Sequence, residues 1–106
     1  MTVDRKERYL KILAATPDNH LARFGLANAW FEEGGFAEAA EQYRLCLEAQ
    51  ADWMAVQISL SHCLVKLGLW DEARSSLQTA RHLALRQGHS QPMEEIDHLL
   101  SQVPKT

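Results

Sequence analysis

The chain has 106 residues, of which 46% are apolar and 24% charged, with a formal net charge of −3 and a pI near 5.9. That size and composition fit one folded domain and exclude a disordered chain, which would carry far less apolar surface. The mild acidity gives no reason to expect nucleic acid, whose binding rests on clustered cations, and no run reaches the roughly 18 apolar residues of a membrane helix, so no nucleic acid, no membrane and a cytoplasmic location are expected.

Apolar residues recur at helical spacing almost throughout, and no stretch alternates as a half-buried strand does, so the class is all-α. A first amphipathic segment holds Val3, Tyr9, Leu10, Ile12 and Leu13 and stops near Ala15. Its Arg5, Lys6, Arg8 and Lys11, interrupted by Asp4 and Glu7, read as a solvated face. In Thr16-Pro17-Asp18-Asn19, Thr16 can cap and Pro17 can occupy the opening turn of a second helix. That helix runs over roughly 18–33, carries Leu21, Phe24, Leu26, Trp30 and Phe31, and ends at Gly34-Gly35. A third begins near Phe36, carries Ala39, Ala40, Tyr43, Leu45 and Leu47, and fades at Ala49-Gln50-Ala51. Asp52 is a good cap for a fourth, which passes through Met54, Val56, Ile58, Leu60 and Leu64 to Leu67 and stops at Gly68. Trp70–Gln87 reads as a longer fifth helix built on Ala73, Leu77, Ala80, Leu83 and Ala84, stopped by Gly88. Ser90 and Pro92 open a sixth, with Ile96, Leu99, Leu100 and Val103 on one face and Glu94, Glu95, Asp97 and Gln102 on the other; Pro104 ends it.

The turn Gly34-Gly35-Phe36-Ala37-Glu38-Ala39 returns after 34 residues as Gly68-Leu69-Trp70-Asp71-Glu72-Ala73. Sliding His20–Trp53 onto Met54–Gln87 without a gap makes Leu26/Leu60, Gly34/Gly68, Glu38/Glu72 and Ala39/Ala73 identities. Phe24 falls on Ile58, Trp30 on Leu64, Phe36 on Trp70, Tyr43 on Leu77 and Cys46 on Ala80, large opposite large and small opposite small. A recurring unit of this length means stacked helical hairpins, in which each unit buries its apolar face against its neighbours. The small residues Ala27 with Ala39, and Ser61 with Ala73, let two antiparallel backbones approach where they cross.

With Leu26, Ala27, Trp30, Gly34, Phe36, Ala39, Tyr43 and Cys46, and again Leu60, Ser61, Leu64, Gly68, Trp70, Ala73, Leu77 and Ala80, the chain resembles the tetratricopeptide repeat family. The resemblance implies a right-handed α-α superhelix of antiparallel hairpins with about six helices. It divides the chain into an N-terminal half-repeat helix (1–19), repeats at 20–53 and 54–87, and a C-terminal capping helix (88–106). Ala51 stands where the family usually has proline, and Arg23 and Gln57 where an aromatic is usual. The flanking helices are expected to seal the short stack as a capped monomer, with a weak homodimer as the alternative.

The resemblance also implies a concave groove built on the first helix of each hairpin. Carried onto this sequence, its lining is Leu21, Phe24, Asn28, Phe31 and Glu32 from one unit and Ala55, Ile58, His62, Val65 and Lys66 from the next. The expected function is a non-enzymatic interaction module that holds a peptide or helix of a protein partner there, through Leu21, Phe24, Asn28, Phe31, Ile58, His62, Val65 and Lys66. Asn28 matches a position at which family members hold a peptide backbone or terminal carboxylate. Phe24 and His62 replace the lysine and second asparagine of a carboxylate clamp, so a clamp is not expected. Two alternatives stand beside this reading: a structural self-assembly unit, and a C-terminal helix folded over the groove that makes its residues core.

Other chemistry finds little support. Adjacent His62 and Cys63 point about 100° apart on one helix, and no HxxxH or CxxC occurs, so no metal is expected. Cys46 and Cys63 fall on small packing positions. There is no phosphate loop and no GxSxG, while Glu32, Glu33, Glu38, Glu41 and Glu48 fall mostly on solvent-facing positions, so neither catalysis nor a cofactor is expected. Trp53 is the one large residue outside the repeat pattern, suited either to stapling the fourth helix or to anchoring a partner.

Overall fold

The structure, a computed structural model, describes residues 4–88 and 91–105. Six helices follow one another: α1 (Arg5–Ala15), α2 (His20–Glu32), α3 (Phe36–Ala49), α4 (Met54–Leu67), α5 (Trp70–Gln87) and α6 (Gln91–Gln102). Val3 and Ser90, to which helix starts were assigned above, lie outside the described residues. No strand occurs among the described residues, and none of the helices is long and apolar enough to cross a membrane.

The helix boundaries follow from caps, two of which differ from expectation. Thr16 closes α1, its N–H donating to Ile12 O, and Asn19 starts α2 by accepting from the Ala22 N–H at 3.0 Å. Pro17 therefore sits in the turn, which is closed by the Asn19 N–H on Thr16 O at 3.0 Å, instead of opening the helix. Asp52 does not cap α4. Trp53 takes the N-cap position without a side-chain bond, since an indole offers no acceptor, and its ring packs on Phe24, 5.0 Å away between centroids.

The two glycine turns close identically. Gly35 N–H donates to Trp30 O at 2.8 Å and Gly34 N–H to Phe31 O at 3.0 Å. Thirty-four residues later, Leu69 N–H donates to Leu64 O at 2.9 Å and Gly68 N–H to Val65 O at 3.1 Å. Both closures need the left-handed conformation, adopted by Gly34 (φ 83°) and Gly68 (φ 71°), where a side chain would strain the backbone.

The hairpins α2/α3 and α4/α5 are the tightest pairs, followed by α3/α4, so the stack is continuous rather than two separate hairpins. At the crossings Ala27, Ala39, Ala40, Ser61 and Ala73 are fully buried, and Tyr43, Leu64, Leu77 and Val56 fill the space beside them. The polar departures from the family pattern have a structural use. Arg23 Nη1 donates to Gln42 Oε1 at 2.9 Å, and Ser76 Oγ donates to Gln57 Oε1 at 3.0 Å, so the same two repeat positions tie each hairpin. Arg44 adds a bidentate pair to Glu72, both bonds 2.8 Å, joining α3 to α5.

Helix α1 packs on α2 at one end of the stack, and α6 packs on α5 and α4 at the other. Leu13, Ala22 and Leu26 form a small second cluster with Tyr9 and Trp30, and Lys6 lies 4.0 Å over the Trp30 ring. The Tyr9 ring occupies the space above Gly25: a Cβ there would stand 2.8 Å from Tyr9 Oη and inside contact distance of the ring carbons. Alanine has the better helix propensity by about 1 kcal/mol, yet displacing the ring costs about 1–3 kcal/mol. Gly25→Ala is therefore expected to lower the thermal midpoint; a raised midpoint would show that Tyr9 is not held there.

Candidate functional site

The first helices of the hairpins present one stripe each to a common side. Phe31 of α2 meets His62 of α4 edge-on, centroids 6.1 Å apart, and His62 Nε2 lies 2.6 Å from Glu95 Oε1 of α6. These contacts set α2, α4 and α6 side by side. Phe31 also packs edge-on against Phe36, and Phe24 lies between Tyr43 and Trp53.

The eight residues expected in the groove divide by exposure. Leu21 is 74% exposed, and Lys66 is exposed. Phe24, Asn28, Phe31 and His62 are half-buried, each offering part of its surface. Ile58 and Val65 are buried, at 8% and 9% exposure, and offer almost no surface. Asn28 Oδ1 accepts from the Tyr43 hydroxyl, which fixes the carboxamide and leaves its nitrogen without a partner among the described residues. Burial raises the Tyr43 phenol well above its ordinary pKa, so it stays a donor.

Helix α6 decides how much of this face is open. It packs on α5 and more lightly on α4, and it makes no comparable contact with α2. Met93 and Leu100 join the core with Ile96, Leu99 and Val103. The C-terminal helix therefore covers the α4 side and leaves the α2 side, with Leu21, Phe24 and Phe31, uncovered. Glu95, assigned from sequence to the outer polar face, instead belongs to the rim beside His62. Local pattern could not reveal this, because it depends on the angle at which α6 crosses α4. Trp53 was legible only as an anomaly; its partner Phe24 lies 29 residues away (53 − 24).

Among the described residues, no group of three or more His, Cys, Asp or Glu side chains is placed to hold a metal ion. Both cysteines are fully buried and free, and the Cys46 thiol donates to His20 O at 3.8 Å. Burial pushes the Cys63 thiol up to about 12 and also raises Cys46. Both are thus neutral at pH 8, and an aromatic disulfide reagent is expected to label neither in the folded chain and both in denaturant. Rapid labelling of the native protein would contradict this packing. The sign for stability follows: the contribution of Cys63 is complete below its ordinary value of 9.0 and is lost as pH rises toward about 12.

Two solved structures share this architecture. The TPR2B-domain:pHsp70-complex of yeast Sti1 matches with a TM-score of 0.82 at 17% identity, over 92% of this chain and 78% of that chain. The TPR2AB-domain:pHSP90-complex of yeast Sti1 matches with a TM-score of 0.82 at 17% identity, over 94% of this chain and 39% of that chain. No family model matches the sequence, and no curated protein matches it. At this identity the likeness is one of fold, which is all-α and of the tetratricopeptide-repeat type.

Proposed function

From the premise of a tetratricopeptide-repeat fold, we propose that this protein is a non-enzymatic interaction module whose α2–α4–α6 face holds a segment of a protein partner. The observation that carries the reading is the open α2 stripe, where Leu21 stands 74% exposed and leads onto half-buried Phe24 and Phe31. Contiguous exposed apolar patches rimmed by polar residues mark contact surfaces. Here Asn28, His62, Lys66 and Glu95 supply the polar rim, and Phe24, Phe31 and Leu21 supply apolar area. The two similar structures are complexes with pHsp70 and pHSP90, which supports a protein or peptide as the kind of ligand. A carboxylate clamp is not part of the proposal, since Phe24 and His62 occupy positions where a clamp needs lysine and asparagine.

Buried Ile58 cannot be charged without unfolding the stack, so the test uses exposed positions. The double variant Leu21→Glu with Lys66→Glu is expected to keep the native helix content. A partner bound by the unmodified chain should bind more weakly by about 1–3 kcal/mol, roughly 5- to 150-fold. Calorimetry with that partner checks this, and undiminished affinity in the variant would overturn the assignment of the face.

A further inference from the structure

Shifting α1 by 34 residues lays it on α3, with Arg5 on Ala39, Tyr9 on Tyr43, Ile12 on Cys46 and Leu13 on Leu47. The packing keeps that register: Tyr9 stands against Gly25 of α2 as Tyr43 stands beside Ser59 of α4. Helix α1 is thus the second helix of a hairpin. In α3 the face of Ala39, Tyr43 and Cys46 is closed by its hairpin partner α2, and these residues are 0–1% exposed. In α1, Lys6, Tyr9 and Leu13 are used against α2, while no described residue covers the matching outer flank. Ile12 is 40% exposed, and Arg5, Arg8, Tyr9 and Ile12 wall a depression of about 470 Å³.

We propose that this flank of α1 binds an acidic amphipathic helix of a partner protein, which lies along α1 over Arg8 and Ile12. Residues at i, i+3, i+4 and i+7 (5, 8, 9 and 12) form one helical stripe, the pattern that receives a second helix. Charge selects the occupant. The position of buried Ala39 is Arg5 here, so an apolar helix cannot close on α1 as α2 closes on α3. An incoming helix must set carboxylates against Arg5 and Arg8 while its apolar stripe covers Tyr9 and Ile12. Arg5 already pairs with Glu32, whereas Arg8 has no carboxylate among the described residues. A second copy fits poorly. Two such flanks would oppose like charges, and the chain's own acidic helix, α6, has its apolar stripe of Ile96, Leu99 and Val103 buried at home.

The test measures fluorescence anisotropy of the full chain with a labelled synthetic helix of about 16 residues, leucines on one stripe and glutamates beside it. A counterpart probe carries lysine in place of each glutamate. The glutamate probe is expected to bind saturably and the lysine probe not to bind. Arg8→Glu and Ile12→Asp should each weaken binding about tenfold or more, while Leu21→Glu with Lys66→Glu leaves it unchanged. Arg8→Ala is the milder variant if circular dichroism shows lost helicity in Arg8→Glu. Equal binding of both probes, no binding, or sensitivity confined to Leu21 and Lys66 would overturn the proposal. So would a dimer in sedimentation that Ile12→Asp dissolves, since the face would then belong to a second copy.

Discussion

Replacing Tyr43 with alanine is expected to lower the unfolding free energy by about 3–5 kcal/mol, a large share of the roughly 5–15 kcal/mol that a domain of this size possesses. Tyr43 is 1% exposed and is among the largest fully buried side chains. It belongs to α3, packs on Phe24 and Asn28 of α2, and stands beside Ser59 of α4, so its removal opens a cavity shared by both hairpins. Because the surrounding helices cross at fully buried alanines, they have little freedom to collapse into the gap. Tyr43→Phe separates the ring from the hydroxyl. It keeps the packing but leaves Asn28 Oδ1 without its donor, at a cost of about 1–2 kcal/mol. Urea denaturation of both variants checks the ordering. A phenylalanine variant as unstable as the alanine variant would mean that the hydrogen bond, not the ring, holds the hairpins together.

The second large effect is expected at the C-terminal end. Ile96 is fully buried, and with Leu99 and Val103 it seals α6 onto α5 and α4. Ile96→Asp would remove an apolar side chain worth about 1.5–3 kcal/mol and set an unpaired carboxylate in its place. Burying that charge costs more than the helix gains by staying docked. Helix α6 is therefore expected to detach, breaking the His62–Glu95 and Arg81–Asp97 contacts. The loss should be about 3–5 kcal/mol, read as a lower urea midpoint and as faster amide exchange along α4 and α5. Unchanged exchange in α4 would show that α6 is an accessory and not a seal. Detachment should also uncover the α4 side of the concave face, where Ile58 and Val65 are buried.

Much of the fold was legible because helical hairpins are specified locally. The 34-residue recurrence of Gly34 and Gly68, with Ala39 and Ala73 behind them, marks the turns and crossings along the chain itself. The caps were less legible. Asp52 has the chemistry of a cap, but Trp53, whose ring packs on Phe24, takes the N-cap position one residue later. Asn19 and Thr16 are both capping types, and only the turn geometry decides which starts α2 and which ends α1.

For the candidate site, the repeat phase picked out the stripe but not its accessibility. Leu21, Phe24, Ile58 and Val65 are equally apolar in the sequence, yet Leu21 is exposed and Ile58 and Val65 are buried. Glu95 and Tyr43 were outside the expected face, although one contacts His62 and the other fixes Asn28.

The sequence by itself determined the class, the number of helices, the hairpin turns and which residues are small where backbones meet. Those features depend on spacings of three, four and 34 residues, and such spacings are written along the chain. Only the tertiary structure decided how far α6 lies over the α2–α4 side, that no described residue covers the Arg5–Ile12 flank of α1, and that α6 reaches His62. These depend on how whole helices are angled against one another. That angle is set by the summed packing of many side chains and by no local signal.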